Sequence, residues 1–209
     1  MGILGIVGFL FGMGSVPPYL ASMDEDRLKQ TVSVVAPAFD IDPEKIRYRH
    51  SEQMPLGIRR LALNSPHRCE MVHNAKLFAR TPVRGEKKTQ PEVMLSGFVA
   101  HELAHCAFSL WSGGSAIKKW EAELSSDIAS LIYVKLNHPE QFDNFSADLV
   151  DMRGGFFNDA NYQFAPALES AAQLIAQASE PKISVVYVQA LLKELPMARF
   201  APSESVNVN

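Results

Sequence analysis

The chain has 209 residues, 47% apolar and 21% charged, enough for one domain with a core of its own and too few for two of ordinary size. Those proportions exclude intrinsic disorder and collagen-like repetition, and only two cysteines exclude a disulfide-stapled miniprotein. A net charge of −3 gives no whole-chain reason to expect a nucleic-acid partner.

The 23 residues before Asp24 carry no charged side chain, and Ile3 to Met13 is mostly apolar with glycines between. That run is short for a bilayer span, and Pro17-Pro18 stops any helix that would lengthen it. Two readings fit. One is a secretory signal or short membrane anchor, with Gly12-Met13-Gly14 as the small-x-small pattern of a cleavage site, though without the usual leading Lys or Arg. It implies a cell-envelope protein, exported or associated with the membrane through residues 1–21. The other is an apolar segment packed on a cytoplasmic domain. Residues 22–200 then read as a single domain and 201–209 as a tail.

Ser22-Met23-Asp24-Glu25 has the form of a capping box, and Leu28, Val32, Val35 and Phe39 recur at helical spacing behind it, so a first helix is expected from near Ser22 to Pro37. From Lys45 to Arg84 short apolar runs alternate with turn formers, among them Pro55, Gly57, Asn64-Ser65-Pro66 and Pro82, which predicts about three strands. Lys45 to Lys88 also holds eleven Lys or Arg against three Glu, a local balance of +8 that leaves the rest of the chain at −11. A solvated sheet face explains this, and a cationic substrate groove is the sharper alternative. Cys69 and Cys106 have no Cys-x-x-Cys partner and read as two separate buried thiols in preference to a pair.

Thr89-Gln90-Pro91-Glu92 is a second capping box, opening a long helix through Met94, Phe98, Val99, Leu103, Phe108 and Trp111 that Gly113-Gly114 closes. Ser115 can cap the next, which runs through Trp120, Leu124, Ile128, Leu131 and Ile132 to Asn137-His138-Pro139. A bend at Gly154-Gly155 follows, then helices from Pro166 to about Ser179 and from about Ile183 to Leu195. The expected class is α+β: a small, mostly antiparallel sheet, an active-site helix, a glutamate helix and further C-terminal helices.

The first long helix contains His101-Glu102-Leu103-Ala104-His105. Histidines four apart leave one helix face a turn apart, so both imidazoles can reach one zinc ion, and Glu102, rotated by about 100°, can act as general base. A third ligand is needed. The turn between the two helices is short, so they pack antiparallel; at about 1.5 Å per residue His105 is level with Glu123 and His101 with Asp127. Glu123 is therefore the expected third ligand and Asp127 the carboxylate that orients an imidazole, His101. Glu121, six residues from Asp127, points to another side.

His101-Glu102-x-x-His105, 17 intervening residues and Glu123-x-x-Ser-Asp127 together resemble the gluzincin group of zinc metallopeptidases, which includes thermolysin and the prenyl-protein endopeptidases. The resemblance covers roughly Met71 to Leu136 and implies a zincin-like fold, a Zn2+ cofactor and peptide-bond hydrolysis of a protein or peptide substrate. In that group an edge strand before the active-site helix often carries Asn-Ala and pairs with the substrate, which implies such a role for Asn74 and Ala75. Thermolysin-like enzymes take an oxyanion-stabilising His or Tyr from a large C-terminal domain that this chain is too short to contain. Here His138, Arg153 and Tyr162 have the right chemistry without a spacing argument. A zinc-containing binding module that cuts nothing is the alternative function, and an occluded zinc would mark it.

Overall fold

The computed structural model describes residues 24–53, 56–61, 64–74, 89–111, 119–154 and 164–195, with 109–111 by backbone only. Asp24 opens helix α1 (Glu25–Val35): its carboxylate accepts the Arg27 amide at 2.7 Å, so the cap stands two residues beyond the Ser22 expected from the first capping box. Leu28, Val32 and Val35 turn inward as their spacing predicts, and Phe39 closes the segment in a short 3-10 turn (Ala36–Phe39).

Three strands follow, β1 (Ile46–His50), β2 (Leu56–Arg60) and β3 (Cys69–His73), in the order β1-β3-β2. The expectation of a mostly antiparallel sheet is corrected here. β2 and β3 run antiparallel, but β3 slots between its two predecessors and so lies parallel to β1, with Ile46 beside Cys69 and His50 beside His73. β3 is therefore central, flanked on both sides, and buried along its whole length.

One sheet face packs on the helices and the other meets solvent, where Glu70 sits fully buried among Arg47, Arg49 and Arg59, whose Nε atoms lie 3.3, 2.9 and 2.5 Å from its carboxylate. Three of the basic residues in the +8 stretch thus surround one carboxylate. Burial alone would push Glu70 up, but Arg49 and Arg59 outweigh it and hold its carboxyl below the ordinary glutamate range. A group depressed on folding stabilises the native state above its unfolded pKa and loses that contribution as pH falls through the folded one. Stability from urea unfolding is therefore expected to decline between about pH 5 and pH 3, and less steeply in Glu70→Gln. Equal slopes in the two proteins would remove Glu70 from the account.

Helix α2 (Pro91–Trp111) begins with Pro at its first position, but not through the second capping box. The Thr89 amide and hydroxyl both donate to Asp148, at 3.0 and 2.6 Å, and Glu92 reaches Arg27 at 2.8 Å instead of turning back. α3 (Lys119–Asn137) packs antiparallel on α2, since later residues of one face earlier residues of the other. Then come α4 (Phe142–Gly154), α5 (Ala165–Gln177) and α6 (Val185–Glu194). The last two match expectation within two residues; α4 was not expected. Its signal was present as Phe142, Phe145 and Leu149 at i, i+3 and i+7, all buried. Phe145 lies directly over Gly97 of α2, where an added Cβ would stand 2.2 Å from the ring, so only glycine admits α4 this close.

Cys69 and Cys106 are bonded to each other, which corrects the expectation of separate thiols. β3 lies on α2 with these two Cα atoms 6.2 Å apart, inside the range a disulfide spans. The six helices and mixed sheet place the described residues in the α+β class. Among them no helix is long and apolar enough to cross a membrane. Residues 1–21, the 201–209 tail, Ser22, Ala75, Gly113-Gly114, Ser115, Gly155 and Tyr162 lie outside the described residues.

Candidate metal centre

Hydrophobic burial sets the stage for the site. Val99, Ala100, Leu103, Ala104 and Ala107 are buried around α2, and Leu124, Ile128, Leu131 and Ile132 along α3, so rotation of either helix is fixed by its apolar residues. The polar residues between them are consequently driven inward: His101, Glu123 and Asp127 are among the few buried polar side chains of the fold.

There they converge. Nε2 of His101 and Nε2 of His105 are 3.1 Å apart, and each lies 3.6 Å from a Glu123 carboxylate oxygen. A tetrahedral ion with bonds of about 2.0–2.1 Å separates its ligand atoms by about 3.4 Å. The two histidines face different oxygens of Glu123, and one ligand atom from each of the three residues lies within 4.8 Å of the others, so the group could hold one metal ion; two imidazoles with a carboxylate are a donor set that divalent metals such as zinc accept. Glu121 is outside the group and contributes only its carbonyl, to the Ser125 hydroxyl.

On the far side of His101, Nδ1 lies 2.7 Å from Asp127 Oδ1, as the level-matching of the helices requires. Asp127 is held in turn by Arg153 of α4, whose Nε and Nη2 donate to its two oxygens at 2.6 and 2.8 Å. The same Nη2 is 3.5 Å from Glu123. Arg153, weighed from sequence only as an oxyanion stabiliser, is committed here to the carboxylates behind the ligands. Its distance of 26 residues from Asp127 left no periodicity by which to pair them. His138 follows α3 beside Tyr133, at the opposite end of that helix from Glu123, with ring centroids 6.4 Å apart.

The electrostatics follow from this geometry. Burial opposes charge on His101, but the adjacent Asp127 carboxylate overrides it and pushes the ring up to about 10. His105, without such a partner, is pushed down to about 4 by burial and by the charge on His101. Burial would also raise Glu123, yet His101 and His105 hold it far below the usual carboxylate range. Without a metal the cluster is thus a pair of carboxylates compensated by one imidazolium and one guanidinium, and a cation held at the three converging atoms would take the place of the proton on His101 Nε2. Glu102, on the neighbouring face of α2 and half-buried, is pushed up to about 7 by burial.

Asn74 stands immediately after β3, buried, with its side-chain amide donating to the Ser51 carbonyl at 2.5 Å. Because β3 is central, the strand leading to Asn74 is not the open edge that the resemblance implied. Comparison of the chain with protein-family models, curated proteins and solved structures finds no match.

Proposed function

We propose that the chain is a zinc-dependent peptidase of gluzincin type, with His101, His105 and Glu123 as ligands and Glu102 as general base. The observation that carries the reading is the convergence of His101, His105 and Glu123, one ligand atom of each within 4.8 Å of the others, with the Glu102 carboxyl at the next helix position raised by burial. A structural zinc site needs four protein ligands and no base; among the described residues three donors converge, beside a carboxyl that burial raises to about 7.

Zinc, when bound, polarises the scissile carbonyl and acidifies the attacking water. The rest falls to the chain. Glu102 accepts the proton of that water and, still protonated, can deliver it to the departing amine. Asp127 fixes the His101 ring so that Nε2 faces the centre, and Arg153 holds Asp127 in that position. His105 is the ligand nearest solvent, its side chain 23% exposed against 10% for His101 and 7% for Glu123, which puts substrate access on its side.

Chelation tests the reading as a whole. Treatment with a strong zinc chelator is expected to abolish cleavage of an unfolded protein, and one equivalent of zinc to restore it. Cleavage that persists in protein shown to be free of zinc contradicts the proposal.

A further inference from the structure

Successive side chains of a strand point to opposite faces of its sheet. Cys69 faces α2, to which it is bonded, so by the register of the three strands Arg47 and Arg49 of β1, Glu70 and Val72 of β3, and Gly57 and Arg59 of β2 share the face turned away from α2. Three guanidiniums there surround one buried carboxylate and leave a net charge of +2. Among the described residues the three arginine side chains pair with no acid except Glu70. They offer it about fifteen N–H donors against about four lone-pair sites, so most of the donors are left for solvent. The side chains are accordingly 57, 44 and 48% exposed. Glu70 therefore holds the arginines in place without neutralising them. The stretch of +8 to which they belong, set against −11 in the rest of the chain, also means that an extended anionic surface attracts this face and repels the others.

We propose that this face of the sheet docks the protein on an anionic phospholipid bilayer, independently of whether the chain is a peptidase. Two observations select a bilayer from among polyanions. Sheets that bind single-stranded nucleic acid carry aromatic side chains on which bases stack, and none of the six positions on this face is aromatic. A guanidinium needs no such partner to grip a phosphate, which it binds through parallel N–H bonds. The second observation is the run of 23 uncharged residues before Asp24, whose apolar part is too short to span a bilayer. Attachment to a membrane surface sums apolar insertion and attraction to anionic lipid, so an apolar element that is marginal by itself holds firmly with a basic patch beside it. The two elements adjoin. α1, into which the uncharged run leads, begins at the sheet, with Glu25 Oε2 3.3 Å from Nε2 of His73, the residue after Val72 in β3.

The experiment measures partition of the full chain onto vesicles of phosphatidylcholine containing about 30% phosphatidylglycerol, and onto vesicles of phosphatidylcholine alone, at about 0.1 M salt. The anionic vesicles are expected to bind at least about tenfold more tightly, and the difference to vanish at about 1 M salt. Arg47 is the substitution that spares the fold: Arg49 and Arg59 are the residues that bring the buried Glu70 carboxyl down, and Arg47 is the farthest of the three from it, at 3.3 Å. Arg47→Gln is expected to lower affinity for the anionic vesicles about fivefold, with urea unfolding and binding to neutral vesicles unchanged, and Arg47→Glu to lower it about thirtyfold. Lys193→Gln changes the net charge by the same amount on α6, which packs on α3 and α5, and is expected to keep the affinity within about twofold of wild type. Equal affinity for the two kinds of vesicle overturns the proposal. So does an equal loss in Arg47→Gln and Lys193→Gln, or a preference for an oligodeoxynucleotide of about 20 residues over the anionic vesicles.

Discussion

Glu102→Gln is expected to lower the proposed protein cleavage by about 10²–10⁴-fold and to leave bound zinc at one equivalent. Glutamine has the shape of glutamate, so the fold is kept while proton acceptance is lost. The paired readout is what gives the result its force. Loss of activity with loss of zinc points to a damaged site, whereas loss of activity at full zinc content isolates the proton transfer. A rate within a few fold of wild type would dismiss Glu102 as the base. The pH profile adds a check of sign: the base works deprotonated, so cleavage rises with pH through the carboxyl's pKa. Burial sets that value at about 7 in the protein alone, and a neighbouring cation pulls it lower, so the acid limb is expected at or below about pH 7.

Arg153→Met is expected to cost about 3–5 kcal/mol of stability and to weaken zinc binding by about 10–100-fold. Methionine keeps much of the length and apolar volume but leaves Asp127, fully buried, without the guanidinium that binds both its oxygens. Burial raises the Asp127 carboxyl, and Arg153 is the larger of the two influences that bring it down, ahead of His101. Without it the carboxylate is compensated by His101 alone, and Glu123 loses a neighbouring cation 3.5 Å away. Urea unfolding with and without zinc separates the two effects. Arg153→Lys is expected to recover part of the stability but not the two-pronged hold on Asp127, because an ammonium lacks the planar fork. Unchanged zinc affinity in Arg153→Met would leave Arg153 with a role in folding only.

The grouping of His101, His105 and Glu123 was legible because it needed only local rules. A four-residue interval on one helix, a short connection and 1.5 Å per residue sufficed to pair His105 with Glu123 and His101 with Asp127. The inward positions of α1, α2 and α3 followed in the same way from apolar spacing. What escaped was set by distant groups. Thr89 has the identity of a helix cap, yet a buried acceptor 59 residues away, Asp148, takes both its donors. Arg153 reaches Asp127 from a helix whose three buried apolar residues were too few to draw attention. The strand pairing also lay beyond a local reading, since turn formers mark where strands end and say nothing of which neighbour a strand chooses. Placing β3 in the middle took it away from the sheet edge and laid Cys69 against Cys106.

That disulfide also acts on states other than the native one. It joins residues 37 apart in sequence, and by chain-entropy arithmetic a loop of that size removes conformations worth about 4 kcal/mol from the unfolded ensemble. Cys106 is the residue after His105, and Cys69 stands beside Arg60 at one end of β2. When the fold breathes, β3 and α2 therefore cannot drift apart at that end, and the sheet can swing away from the helix only about a covalent pivot.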